Sequence, residues 1–232
     1  MVLSKRLECI SQLVTVKSSI VDVGTDHGFL PIAMVSRGQI ERAVAADLRK
    51  GPLAGAEKNI AEKGLSDRIR TRLSDGLSNI EAGEGEALVI SGMGGNLITE
   101  ILRRDHAKAV SFKEWVLSPQ SDNDRLLSYV YEAGFHIEAQ ADLYEDGKYY
   151  FMFPAVEGHR DIPEDPAFPY GHLLVKDHDS VLFEHLSKLL KEKEEVLLHL
   201  RDLESEKIKR RRIEISREIQ KLKEVLKQYE MQ

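Results

Sequence analysis

Cysteine is nearly missing from this sequence. Cys9 is the only one, which excludes an internal disulfide and a multi-cysteine zinc site. Its simplest role is a small buried residue on the first helix, with a reactive thiol as the alternative. Long apolar runs are also missing; none approaches the roughly 18 residues that a membrane span requires. The opening Met1-Val-Leu-Ser-Lys-Arg-Leu7 has neither the apolar stretch nor the cleavage pattern of a secretory signal, so a cytoplasmic protein is expected. Gly-x-Gly-x-x-Gly, the fingerprint of dinucleotide-binding enzymes, is absent. Proline is scarce, and three of the seven (Pro163, Pro166 and Pro169) crowd into one stretch.

An excess of positive charge is lacking too, since the net charge is −6, which argues at first against nucleic acid. The distribution weakens that argument. Residues 181–232 hold 13 basic and 11 acidic side chains and are weakly positive, whereas the rest of the chain carries −8. For contact with phosphates a local basic stripe matters more than the total.

What is present is a β/α alternation. Runs of β character at 20–23, 43–47, 69–73, 87–91 and 115–118 are separated by helical patterns, among them 50–63, 96–105 and 123–133, as in βαβ units. Gly134 stands where a helix C-cap glycine belongs. Two further runs, 136–144 and 149–156, flank Glu145-Asp-Gly-Lys148, a hairpin turn. The expected fold is α/β, with five alternating strands followed by an antiparallel pair. The proline stretch reads as a linker.

Beyond the linker the periodicity becomes helical. Leu182, Leu186, Leu189, Val196, Leu200 and Leu203 follow heptad spacing, with Lys193 at the interrupted position. Ile208, Ile215, Ile219, Leu222, Leu226 and Tyr229 form a second seam. The two phases disagree across 204–209. An antiparallel coiled-coil hairpin explains this, and would favour a monomer. A single dimerising helix with a stutter is the alternative. The expected organisation is therefore a catalytic domain at 1–156, a linker at 157–176 and a helical coiled-coil domain at 177–232.

The chemistry concentrates at Ile20-Val-Asp22-Val-Gly24-Thr-Asp26-His27-Gly28-Phe-Leu-Pro31. A buried strand breaks into a glycine turn and enters a helix near Leu30, with Pro31 in the first turn, where its missing N–H costs nothing. This is the ligand-holding corner of an open α/β sheet. Asp22, Asp47 and Asp75 all lie at or just after strand ends, which converge in such a sheet. Asp47, about 20 residues past the turn, suits the two hydroxyls of a ribose. Any one of these acids alone is equally well explained as a helix N-cap. The fourth strand runs into Ser91-Gly92-Met93-Gly94-Gly95-Asn96, where glycines permit close backbone approach and Met93 offers a polarizable surface to an aromatic ring. The fifth ends in Pro119-Gln120-Ser121-Asp122; Gln120 there can hydrogen-bond a base, and a turn with a helix cap explains it equally well. Asp26, inside the turn, would repel a diphosphate by several kcal/mol at low effective dielectric, on the order of what close like charges cost. It would attract a cation. S-adenosylmethionine, with a sulfonium, an ammonium and no phosphate, fits better than a dinucleotide.

These residues carry a resemblance. Asp22 to Pro31 is similar to the first motif of the bacterial tRNA adenine-N1 methyltransferases that act on adenine 22. Leu3-Ser-Lys-Arg6-Leu7, Lys50-Gly-Pro52, Asp75-Gly76-Leu77, Ile90-Ser-Gly-Met-Gly-Gly95, the Glu145–Lys148 hairpin and the helical C-terminal appendage match as well. One departure is Ser118-Pro119-Gln120-Ser121, where members of that family commonly have a Gln-Pro-Asn-like segment. The resemblance implies a Rossmann-like sheet of seven strands with the last pair antiparallel, S-adenosylmethionine as methyl donor, tRNA as substrate and no metal. It implies that Asp22, Gly24, Asp26, His27, Gly28, Asp47, Asp75, Gly76, Gly92 and Met93 form the donor site, with Asp26 as the acid facing donor or acceptor. Phe29 and Tyr149 are candidates for holding the target base, although core packing explains both. Lys207-Ile-Lys209-Arg210-Arg211-Arg212, at the turn between the helices, and Lys5 with Arg6 are candidate RNA contacts; a solvated charged face is the other reading. The competing functions are an NAD-dependent oxidoreductase and a scaffold with a degenerate cofactor corner.

Overall fold

The computed structural model describes residues 2–201 and 203–230. The chain divides into two compact units, residues 1–162 and 163–232.

The first unit is built on β1 (Ser19–Val23), β2 (Arg42–Asp47), β3 (Ile69–Leu73), β4 (Ala87–Met93), β5 (Glu114–Pro119), β6 (Phe135–Ile137), β7 (Ala141–Glu145) and β8 (Lys148–Glu157). Strand order is β3-β2-β1-β4-β5-β8-β6, with β7 attached to β8 off this path. The first five strands are parallel, and β8 runs antiparallel to β5, β6 and β7. The central parallel strands β1, β2, β4 and β5 are largely buried and mostly apolar, as expected where helices cover both sheet faces, whereas the edge strand β3 carries Arg70, Thr71 and Arg72. Chain direction across the sheet reverses between β1 and β4, so the crevice opens at their carboxyl ends.

The run expected as one strand at 136–144 is two. Phe135–Ile137 pairs with the far end of β8, Ala155–Glu157, whereas Ala141–Glu145 pairs with its near end, Lys148–Met152. The ten-residue β8 thus pairs with β7 along its first half and with β6 near its end, and its second half, Phe153–Val156, also pairs with β5. The seven-stranded main path has the expected antiparallel end, with the extra strand on the hairpin.

Helices α1 (Lys5–Leu13), α2 (Phe29–Ser36), α3 (Lys50–Glu62), α4 (Gly95–Arg104), α5 (His106–Ala109) and α6 (Asn123–Glu132) complete this unit. Helix α2 buries Leu30 through Val35 and carries Pro31 in its first turn. Buried Glu114 accepts the Thr15 N–H at 3.0 Å and the Thr15 hydroxyl at 3.0 Å, which satisfies its charge and fixes the chain leaving α1. Trp115 stacks on Phe135 at 3.9 Å and donates its indole N–H to the Ala109 carbonyl.

The second unit contains α7 (His172–Lys176), α8 (Ser180–His199) and α9 (Glu206–Lys227), with a 3-10 turn at Phe168–Tyr170. Asp179 caps α8 and Ser205 caps α9, each accepting a backbone N–H three residues on. The last two helices are antiparallel, since Glu194 pairs with Lys223, Lys193 with Glu218, and Arg212 donates to the Arg201 carbonyl. Lys193 interrupts the apolar row because it has this partner. The row itself departs from heptad spacing. Val196 and Leu203 are each 47% exposed, and Leu197 takes the inward place. Positions 182, 186, 189, 193, 197 and 200 follow the straight helix's own period of about 3.6 rather than 3.5.

Candidate active site

A cavity of about 290 Å3 lies at the carboxyl ends of β1, β2 and β4, where the sheet changes direction. That is close to the lower end of the range for small-molecule pockets. Of the residues expected there, Asp22, Gly24, Asp26, Asp47 and Gly92 line it, together with Gln120 and with Arg6, which was expected on the RNA-binding surface. Leu7, Leu30 and Ser91, which lie in the quoted motifs without a role assigned to them, also line it, as does Arg49, which no sequence signal marks.

Gly24 sits at the end of β1 with φ +78°, and its N–H donates to the Ala46 carbonyl at 2.8 Å. A Cβ there would stand 2.4 Å from Met93 Cε. Backbone therefore forms the floor of the corner, with the Met93 methyl closing it from below. Asp22 is buried, accepts the Thr25 hydroxyl at 2.7 Å and has a pKa pushed up to about 6. Burial is the main cause; the Thr25 hydrogen bond and the Arg6 charge oppose it, while Asp47 and Asp26 add to it. Asp47, also buried, accepts the Arg49 N–H at 2.7 Å and leaves its second oxygen for a ligand. Asp26 is exposed, 3.6 Å from His27 Nε2.

Each glycine after β4 has its own steric reason. Gly92, at φ +78°, is the extra residue of a bulge between Ser91 and Met93, which exposes its backbone to the cavity. A Cβ on Gly94 would meet Ser121 Oγ at 3.0 Å, and one on Gly95 would meet the Asp122 carbonyl oxygen at 2.5 Å. Helix α4 begins at Gly95, one residue before the expected start of the pattern at 96, with Gly94 as its cap, and Asn96 accepts a hydrogen bond from Arg125.

Five expected donor-site residues stand outside the cavity lining. His27, at φ +56°, packs over Gly55 and beside the Phe29 ring, 5.6 Å away. Gly28 caps α2 in the left-handed conformation and lets it approach Ala56. Asp75 is ion-paired to Arg104 at 3.1 Å, and a Cβ on Gly76 would strike Ile101. Met93 acts from behind Gly24. Gly28 and Met93 thus support the corner through their contacts with α3 and Gly24, whereas Asp75 and Gly76 contact α4.

The residues present fit S-adenosylmethionine. Three carboxylates, Asp22, Asp26 and Asp47, face the cavity, the charge that a ligand carrying a sulfonium and an ammonium calls for. Residues 3–153 match the model of the methyltransferase domain. The chain belongs to the methyltransferase family. Over 97% of its length this methyltransferase is 28% identical to the tRNA (adenine(22)-N(1))-methyltransferase of Bacillus subtilis, of which it covers 97%. It is 32% identical to a Streptococcus pneumoniae protein described as a candidate tRNA (m1A22) methyltransferase, solved with S-adenosyl-L-methionine; the TM-score is 0.87 over 97% of this chain and 100% of the other. A structure of M. capricolum TrmK with S-adenosyl-homocysteine gives 26% identity and a TM-score of 0.86, covering 98% of this methyltransferase and 99% of that chain. Among the described residues no cluster of His, Cys, Asp or Glu could hold a metal ion, and no helix is long and apolar enough to cross a membrane.

Proposed function

We propose that this methyltransferase transfers the methyl group of S-adenosylmethionine to N1 of adenine 22 in tRNA. The observation that carries the reading is the corner itself: Asp22, Asp26 and Asp47 around a cavity floored by Gly24 and the Gly92 bulge, in a chain whose relatives match from end to end.

Bound S-adenosylmethionine supplies an electrophilic methyl on a positively charged sulfur. Asp47 would take the ribose hydroxyls, while Asp22 and Asp26 supply negative potential to the cationic portion. Adenine N1 is unprotonated at neutral pH, so the protein needs to align the acceptor rather than deprotonate it. Methylation makes the ring cationic. We assign to Asp26, exposed and in the cavity lining, the stabilisation of that developing charge or the acceptance of a proton from N6, a reading its exposed carboxylate supports. The target adenine has to leave its stack to reach the cavity. Gln120 lines the mouth beside Gly92 and is our candidate for reading the base edge.

For tRNA binding we assign the cations at the start of α9. Lys209, Arg212, Arg217 and Lys223 line a groove of about 990 Å3 along the helical pair, with Arg201 just past the end of α8 and Leu197, Leu198 and Ile213 between them. Lys5 is exposed and joins this group as a candidate. Incubation with labelled methyl donor and tRNA, followed by mapping of the modified nucleotide, tests the proposal. Label at N1 of adenine 22 supports it; label elsewhere, or none, sinks it.

A further inference from the structure

The β7–β8 hairpin stands beside the carboxyl end of β5. Its turn residues, Asp146 and Gly147, have φ +49° and +80°, and Tyr144 pairs directly across from Tyr149. Successive side chains of a strand point to opposite faces. Glu145 and Tyr150 share the face toward α1. The Glu145 carboxylate accepts the Lys5 N–H at 2.6 Å and the Arg6 N–H at 3.1 Å, and the Arg6 guanidinium lies 5.4 Å from the centre of the Tyr150 ring. Tyr144 and Tyr149 therefore face away from α1. Their rings stand 4.8 Å apart, tilted by 49°. Tyr144 is 50% exposed, more than any other Phe, Tyr or Trp among the described residues, whereas Tyr149 is half-buried beside it. Cross-strand ring pairs stabilise a hairpin, but that role does not require one ring to lie open to solvent.

This face adjoins the side of the cavity that Gln120 lines. β8 runs antiparallel to β5 with Phe153 opposite Leu117, and the Ser118 hydroxyl donates to the Phe151 carbonyl at 3.2 Å. Continued past the end of β5, the same register sets Gln120 across from Tyr150 and Ser121 across from Tyr149. Gln120 lines the cavity, as does Arg6, over whose partner ring Tyr150 the hairpin is anchored. The hairpin thus meets the cavity wall through Tyr150 and carries the Tyr144–Tyr149 pair next to it. Phe29, the other aromatic candidate, packs instead beside His27, whose ring lies over Gly55 of α3. A base drawn out of its stack loses the faces of its neighbours. An exposed aromatic ring restores such a face to any base. Lys148, exposed at the same turn, suits a neighbouring phosphate. We propose that Tyr144, backed by Tyr149, is the platform on which the flipped adenine of the tRNA stacks, with its edge turned toward Gln120. This assignment deepens the adenine-N1 reading above and rests on it.

The test sets variants of the full chain against two tRNAs, one intact and one with an abasic site in place of adenine 22. Base–aromatic stacking corresponds to roughly 5- to 150-fold in affinity. Tyr144→Leu is expected to lower kcat/KM for intact tRNA by roughly tenfold or more, with donor affinity in calorimetric titration unchanged within about twofold. Tyr144→Phe, which keeps the ring, is expected to stay within about threefold of wild type. In filter binding, Tyr144→Leu should weaken intact tRNA and leave abasic tRNA unaffected. The salt slope should not change, because a stacked base releases no counterion. Tyr144→Trp places a second indole in a chain whose own Trp115 is buried, and its fluorescence should be quenched by intact tRNA but not by abasic tRNA. Full activity of Tyr144→Leu would overturn the proposal. So would equal losses on both tRNAs, which would make the pair a hairpin support or a contact to another part of the RNA. A Tyr144→Phe as impaired as Tyr144→Leu would overturn it too. Should Tyr144→Leu fail to fold, Tyr144→Phe and the Tyr144→Trp quenching decide, and quenching that persists with abasic tRNA overturns the assignment. A wild type that leaves adenine 22 unmethylated defeats the underlying reading instead.

Discussion

The methyl carbon of Met93 occupies the place that a side chain on Gly24 would need, 2.4 Å from where its Cβ would stand. Gly24 also has φ +78°, which L side chains rarely adopt. The corner between β1 and β4 is thus closed by one missing side chain and one methionine. Gly24→Ala is expected to destabilise the fold by roughly 1–3 kcal/mol through crowding and backbone strain, and to weaken donor binding at least tenfold. Combining it with Met93→Ala removes the clash but leaves the backbone strain. The double variant is therefore expected to recover part of the stability, read as a non-additive coupling in chemical denaturation. Additive losses would show that the two residues do not share the space.

Asp22 makes stability depend on pH. Its folded pKa, about 6, lies above the ordinary carboxylate value because burial disfavours the charge. A raised acid favours the folded state only while protonated. Its contribution is complete below about pH 4 and is lost as pH rises through about 6, an effect of roughly 3 kcal/mol. Asp22→Asn has no such proton to lose. Thermal melts from pH 4 to 7.5 should show a wild-type decline that the variant lacks; parallel curves would contradict the assignment. Donor binding places positive charge beside Asp22 and should release protons near pH 6, detected as calorimetric heats that change with the buffer's ionisation enthalpy.

Asp26 and Asp47 should separate kinetically. Buried Asp47, with one oxygen held by the Arg49 N–H, is placed for ground-state binding. Asp47→Ala is expected to weaken donor affinity by roughly tenfold or more. Exposed Asp26 is the residue we propose for charge that appears during the reaction. Asp26→Asn is expected to lower kcat by roughly 100-fold with a smaller change in donor affinity. Steady-state kinetics with tRNA and equilibrium titration of the donor check both, and unchanged activity in the two variants would remove them from the site.

Glu145 gives a third route into the same site. Glu145→Gln keeps the side chain's shape but turns one of its two accepting oxygens into an NH2 donor and removes the charge that faces the first N–H groups of α1. Donor affinity is expected to fall severalfold, less than for Arg6→Met in the cavity lining, and to fall no further in the double variant, because Glu145 acts by positioning Arg6. Losses that multiply would indicate independent roles.

The strand-end acids could be read from the sequence because β1 and β2 are contiguous apolar runs, and the residue after such a run has a fixed place at the sheet's edge. Arg6 could not be. Its position depends on Glu145, 139 residues further along the chain, and no periodicity carries that pairing. Asp75 looks equivalent to Asp47 in one dimension; Arg104, on α4, draws it aside in three. The split of 136–144 is hidden for a related reason. A β-prone run reveals its strand character but not that two halves of β8 compete for it. On α8 the apolar spacing allows either Val196 or Leu197 to face inward. The half-buried Lys193–Glu218 pair and the helix's natural period select Leu197.

The basic run at the start of α9 offers an internal control for tRNA binding. Lys209 is paired with Glu206 at 2.9 Å and Arg211 with Glu214 at 3.0 Å, whereas Lys207 and Arg210 have no ion-pair partner among the described residues. Exposed pairs of this kind are weak, on the order of 0–1 kcal/mol, but a phosphate has to displace the resident carboxylate before it gains the full cation. Lys207→Gln/Arg210→Gln should therefore cost more tRNA affinity than Lys209→Gln/Arg211→Gln. Every phosphate that a variant no longer neutralises should also lower the slope of log affinity against log salt by roughly 0.7–0.9. Filter binding from about 50 to 200 mM salt, the range over which such slopes are steep, measures both quantities. Equal affinities and equal slopes in all three proteins would mean that this face of α9 meets no phosphates. A fall in affinity with an unchanged slope would point to disturbed helix packing instead of missing charge. Far-ultraviolet circular dichroism of the variants would then show the difference directly, because α9 would lose helix when its packing fails and keep it when only surface charge is gone.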